Sequence, residues 1–217
     1  MVADGLLALL DTGASESAVR IYLTTNPLIA LWSFAWTGGH SEYVLGEFQI
    51  GSRYRADLVV PFSYSGQWEV HFVELEPVDD VAITKDDKPS QRLNSAISQI
   101  ADWADYIEHN RAQVQSDLSN WCVKHDNLKL YKDGEPCNYT GDYLKDPESF
   151  IRFKYHIIIG RRARIDKEKR RKMNQYSKRT DIRIATYDRF LDVARNLDQF
   201  TLHPDKSVLL TESEERF

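Results

Sequence analysis

The chain has 217 residues, 42% hydrophobic, 28% charged and 12% aromatic, which provides enough large apolar surface for one cored domain and argues against disorder. No apolar run approaches the roughly 18 residues of a membrane span. Residues Leu6–Leu10 follow an acidic residue and lack a signal-peptide start, and Cys122 and Cys137 lack zinc or disulfide-framework spacing, so a cytoplasmic protein with two free thiols is expected.

The pattern predicts a helix over Glu16–Leu31, interrupted at Asn26-Pro27 because the residue before proline is pushed out of the α region. Trp32, Phe34 and Trp36 then alternate up to a turn at Thr37-Gly38-Gly39. Three strands follow at Tyr43–Ile50, Tyr54–Phe62 and Trp68–Glu76, forming an antiparallel meander. In the third, Trp68, Val70, Phe72, Glu74 and Glu76 share one face, while Glu69, His71, Val73 and Leu75 share the other. Residues 77–89 read as a polar connection. A long helix opens at Pro89-Ser90 and runs to about Gln113 on a stripe of Leu93, Ala96, Ile97, Ile100, Ala104 and Ile107. Residues 114–150 show turns at Asp133-Gly134 and Gly141-Asp142 but no regular element. The C-terminal third reads as a strand Tyr155–Ile159 closed by Gly160, a basic helix Lys167–Ser177, a strand Ile182–Thr186 and a helix Asp188–Leu197. The expected fold is α/β, a mixed central sheet flanked by helices. It forms one domain with its core over about 16–200 and an acidic tail, 203–217, holding Glu212, Glu214 and Glu215.

The chemistry gathers around Asp57 and the pair Glu74–Glu76. Asp57 interrupts an apolar strand, and the two glutamates end the next strand on one side of it. Carboxylates at the end of an apolar strand are costly to bury alone, and a hard divalent cation with oxygen ligands relieves that cost. Asp57, Glu74 and the Leu75 carbonyl would hold magnesium or manganese. Glu76 would orient or deprotonate the attacking water, or contact a second metal, for phosphodiester hydrolysis. The plainer reading is a solvated strand face, with Asp57 capping a turn or pairing with Arg53 or Arg55. Gln99, beside Ala96 and Trp103 on the following helix, is placed either to hydrogen-bond a metal-bound water or phosphate, or as a surface glutamine.

The basic segment 161–172 (RRARIDKEKRRK) holds eight basic and two acidic side chains in a chain of net charge −5. It is either a solvated helix face or a patch on which Arg161, Arg162, Arg164, Arg170 and Arg171 contact a phosphate backbone without reading sequence. The six histidines form no recognisable ligand set, and His71 faces away from Glu74 by parity.

The string VELEP, the acidic loop after it and SAISQIADWADYI resemble the nuclease domain of Shedu antiphage defence proteins, of the PD-(D/E)xK superfamily. The resemblance extends to NPLIALW and YRADLVV upstream, and to YHIIIGRRARID and IRIATYDRFLDVA downstream, covering roughly residues 16–200. It implies a metal site at the split between strands, with Asp57 as the first acid, Glu74 as the second and Gln99 as the helix glutamine. The departure is Glu76, an ELE variant where the superfamily usually has lysine; Lys85 and Lys88 on the next loop are candidates for the displaced charge. The resemblance implies a magnesium- or manganese-dependent DNA endonuclease in prokaryotic antiphage defence. Two other readings stand beside it: a catalytically silent module that binds nucleic acid, and an RNA-directed nuclease, since a phosphodiester site does not choose the sugar. Symmetric self-association would supply a second active site for cutting both strands.

Overall fold

Alternation along the third strand sets the architecture. Trp68, Val70 and Phe72 turn to one face of the sheet and Val73 and Leu75 to the other, and all are buried. Both faces must then be covered by helices. The computed structural model describes residues 1–35, 39–125 and 134–202, the last two by backbone alone. In chain order its elements are α1 (Val2–Asp11), α2 (Glu16–Thr25), α3 (Pro27–Phe34), β1 (Leu45–Ile50), β2 (Tyr54–Tyr64), β3 (Gln67–Leu75), α4 (Gln91–His109) and α5 (Arg111–His125). They continue with β4 (Ile151–Ile158), a single 3-10 turn at Arg162–Arg164, α6 (Lys167–Thr180), β5 (Ile182–Ala185) and α7 (Asp188–Leu202).

The five strands lie in sequence order. β1, β2 and β3 are antiparallel neighbours, whereas β4 and β5 run parallel to β3, so the sheet is mixed. Each parallel step is bridged by helix, α4 with α5 and then α6, because parallel strands need a crossover. Apolar residues of α4, α5 and α6 join one core with Trp68, Val70 and Phe72. Those of α1, α2, α3 and α7 join the second core with Val73, Leu75 and Ile158.

Several boundaries differ from the sequence reading. The helix expected to reach Gln113 stops at His109, because Asn110 leaves the helical region (φ −124°, ψ 31°). The Asn110 Nδ2 and backbone N–H both donate to the Tyr106 carbonyl, at 2.8 and 3.0 Å. α5 then resumes in a region without an expected element, burying Val114, Leu118 and Cys122. β4 starts at Ile151, ahead of Tyr155. β2 runs through Pro61 to Tyr64. The Pro61 carbonyl accepts from Tyr43 N–H at 2.9 Å beyond the end of β1, so the N–H that proline lacks faces away from β3. Trp32 and Phe34 belong to α3 rather than to an extended run. Trp36, Thr37 and Gly38 of the expected turn, Asp133 and the acidic tail lie outside the described residues. α1 was not expected. It buries Ala3, Leu6 and Leu10 ahead of residue 16, and the N–H groups of Val2 and Ala3 donate to Asp198 of α7 at 2.9 and 2.8 Å. Among the described residues no helix is long and apolar enough to cross a membrane.

A local defect in the sheet positions the acidic residues. β2 and β3 pair from Tyr64↔Gln67 to Leu58↔Val73 and no further, although both strands continue. In β1, Glu47 has φ 53°, a left-handed conformation that is strained for a side chain of this kind. Across this point the face alternation slips. Leu45 and Phe48 on β1, and Ala56 and Val59 on β2, all enter the same core. Asp57 sits at the slip.

Candidate active site

Where β2 and β3 separate, the ladder leaves the Leu75 N–H without a strand partner, and Asp57 Oδ2 accepts it at 2.9 Å. N–H and carbonyl of one strand residue point to the same side, so the Leu75 carbonyl also faces the split beside Asp57. Burial pushes the Asp57 carboxyl up, against the pull of that N–H and of Arg20, whose Nη1 is 3.5 Å from Oδ1. Arg20 also reaches Glu47 Oε1 at 3.1 Å and thereby ties the kink of β1 to Asp57.

Glu74 lies on the α4 side of β3. Gln99 Nε2 donates to its Oε1 at 2.8 Å, while its Oε2 is buried with no hydrogen-bond partner. A buried acceptor left in this state is costly for an ionised carboxylate. Burial, followed by the Asp57 and Glu76 charges, pushes Glu74 up to about 9. Glu76 has 7% of its surface exposed and is pushed up to about 7, mainly by burial, with Arg92 opposing. Its backbone is fixed on both sides: its N–H donates to the Ile158 carbonyl at 2.8 Å, and its carbonyl accepts from Tyr187 Oη at 2.7 Å.

The expected site residues Asp57, Glu74, Glu76 and Gln99 therefore share one end of the sheet. Their carboxyls are coupled by repulsion rather than drawn to one point. Among the described residues, no three His, Cys, Asp or Glu side chains stand as a ready ligand group. The donor set nevertheless suits a hard cation, since it consists of oxygens and includes a buried carboxylate oxygen without a partner.

Two contributors escaped the sequence reading. Glu16, in the first turn of α2, is raised by burial and by Asp57, and its charge is felt by Glu74 and Glu76. Its spacing from Arg20, i and i+4, looks in sequence like any helix surface. Arg92, in the first turn of α4, is the cation that bears on Glu76 and Glu16. A cation in a first turn opposes the helix dipole, and that was the available signal. Lys85 and Lys88 are exposed on the loop and make no ion pair among the described residues.

Most of the arginines of 161–171 have carboxylate partners within the chain. Arg161 bonds Asp11 of α1 at 2.9 Å and Asp188 of α7 at 3.3 Å. Arg162 pairs with Asp192, and its N–H donates to Asp188 Oδ2 at 2.5 Å. Arg164 bonds Asp79 Oδ1 at 2.7 Å, and Arg171 bonds Glu168 at 3.1 Å through Nε. Of the five, only Arg170 has no side-chain partner among the described residues. The first three clasp the loop after β4 to α1, α7 and the 77–80 turn, so their charge is already balanced.

His71 and His156, unpaired in the sequence reading, meet on the opposite face of β3: His71 Nδ1 lies 2.7 Å from His156 Nε2, and His71 Nε2 is 2.9 Å from Glu69 Oε1. Burial lowers both imidazoles. Beside Gln99, a cleft of about 560 Å³ is lined by Arg53, Tyr54, Arg55, Ser95, Ser98 and Asp102.

A family model described as Shedu protein SduA, C-terminal, matches residues 13–191. A search of curated proteins returns no match.

Proposed function

The chain belongs to the Shedu SduA C-terminal family, which points to antiphage defence, and from that premise we propose that it is a metal-dependent endonuclease hydrolysing DNA phosphodiester bonds, on a sheet of the PD-(D/E)xK type. The observation that carries the reading is the carboxyl end of β3. Glu74 is half-buried there, with one oxygen held by Gln99 and the other buried and unpartnered, within electrostatic reach of Asp57, Glu76 and Glu16. An ordinary solvated strand face would let water satisfy that oxygen.

Asp57, Glu74 and the Leu75 carbonyl are the oxygens that would hold magnesium or manganese. Such an ion, when bound, stabilises charge on a phosphoryl group and makes water more acidic. Gln99 fixes the rotamer of Glu74 through its 2.8 Å bond. Glu76, pushed up to about 7, is poised near neutral pH to take the proton of an attacking water. Arg92 supplies the positive charge that lysine gives at position 76 in the usual superfamily pattern. The DNA backbone runs along the cleft of Arg53, Arg55, Ser95 and Ser98, next to Gln99. This replaces Arg161, Arg162, Arg164 and Arg171, whose partners are internal, as the main phosphate contact.

Plasmid cleavage tests the proposal. Cutting should need magnesium or manganese, stop with EDTA, and disappear in Asp57→Ala and Glu74→Ala. The second reading, a silent module that binds nucleic acid, draws on Glu76 itself and on the absence of a preassembled ligand group among the described residues. It predicts gel-shift binding without cutting, and cleavage gained in Glu76→Lys.

A further inference from the structure

On the face of the sheet away from Gln99, we infer a second, separate site that binds a phosphate group, formed by Lys154, Arg183 and Arg189 around the buried His156. It uses none of the carboxylates discussed above. A cavity of about 670 Å³ opens at the β5 edge, with these four side chains in its lining. Register brings them together. His156 on β4 stands beside Arg183 on β5, Lys154 lies two residues before His156 on β4, and Arg189 comes from the first turn of α7.

Charge balance separates this cavity from an ordinary surface. The side chains of Lys154 and Arg183 make no hydrogen bond or ion pair among the described residues, and neither does Lys178, which also lines the wall. Arg189 donates from Nε to the Ser33 carbonyl at 2.7 Å and lies over the Phe34 ring at 5.5 Å, a partner set without a carboxylate. Its Nη1 end carries donors with no partner among the described residues, and burial together with the Arg183 charge lowers it to about 10. Of the two acids in the lining, Glu69 lies 2.9 Å from His71 and within electrostatic reach of Lys154, and Asp181 makes no ion pair among the described residues. Four cations therefore face a space whose acids do not balance them. Arginine offers forked N–H pairs that match phosphate oxygens, and lysine adds a point charge. The neutral His71–His156 pair closes the floor and adds no charge of its own.

The competing reading is that these charges merely protect the open edge of β5 from pairing with another strand. Titration calorimetry with inorganic phosphate on the full chain separates the two. Lys154 and Arg183 are both exposed, so Lys154→Ala/Arg183→Ala should fold as the parent does, which thermal melting checks. The expected result is one saturable phosphate, weakened about 10-fold or more in the double variant and unchanged in Asp57→Ala. A 5′-mononucleotide and a 5′-phosphorylated oligonucleotide then identify the source. Equal affinity assigns the site to a free nucleotide, and tighter oligonucleotide binding that needs the terminal phosphate assigns it to a strand end. No saturation, or equal binding by parent and double variant, overturns the inference. The Asp57→Ala control keeps this outcome independent of the nuclease proposal.

Discussion

The acids at the end of β3 and the arginines of 161–171 are two concentrations of like charge in the sequence, and the fold treats them in opposite ways. Arg161, Arg162, Arg164 and Arg171 each find a carboxylate, three of them on a different element. Glu74 finds one amide and no cation, and one of its oxygens is left bare. A charge that the chain neutralises internally serves structure. A charge that it buries and leaves unbalanced is an energetic cost that an external ligand can relieve. The lesson is that density of charge in sequence does not separate the two cases, whereas the partners in the fold do.

The contrast breaks most visibly in activity. Glu74→Gln or Asp57→Ala should lower metal-dependent cleavage by about 100-fold or more, because each removes an oxygen of the proposed cation site. Arg161→Ala should do the reverse. The side chain is 16% exposed and bridges α1 and α7, so its loss should cost about 2 kcal/mol and several degrees of melting temperature. Cleavage per folded molecule should stay near the parent value. If Arg161→Ala instead weakened DNA binding with no loss of stability, the structural reading of the clasp would be wrong.

Smaller effects sharpen the same comparison. Gln99→Ala should lower cleavage by about 10-fold, since it leaves Glu74 present but unfixed. In metal-free protein, stability should depend on pH through Glu74. Native Glu74, raised to about 9, keeps a proton that the unfolded chain loses above its usual 4.5. The native state then binds more protons in that window, so stability falls as pH rises from about 4.5 toward 9. Glu74→Gln removes this slope and should gain about 1–3 kcal/mol at pH 8 in chemical denaturation; a slope identical to the parent's would show that Glu74 ionises normally. Arg171→Ala should melt at the same temperature as the parent to within about a degree, as its exposed i,i+3 pair with Glu168 is worth little.

Much of this was legible in sequence wherever period and chemistry coincide. The alternation of 68–75 marked the buried two-faced strand, and its parity put Glu74 on the side of the helix that carries Gln99, where the 2.8 Å contact is found. The features hidden from the sequence depend on tertiary pairing. The stripe of α4 continues in phase into Val114, so spacing alone conceals the break at Asn110. The partners of Arg161 lie in α1 and α7, 150 and 27 residues away, and no local pattern announces them. Glu16 and Arg92 enter the site from two helices on opposite faces of the sheet, where each looks like a surface residue. Asp57 was legible as an odd acid in an apolar strand. The slip that lets it cap Leu75 N–H, opposite a left-handed Glu47, was not.

The central claim is that the acids where β2 and β3 part are held for a divalent cation. Calorimetric titration of the full chain with manganese tests it most directly, with Glu74→Gln and Asp57→Asn run beside the parent. The account predicts saturable binding by the parent that is lost in both variants and kept in Arg171→Ala. Parent protein that takes up no manganese, or variants that bind it as well as the parent, would contradict it.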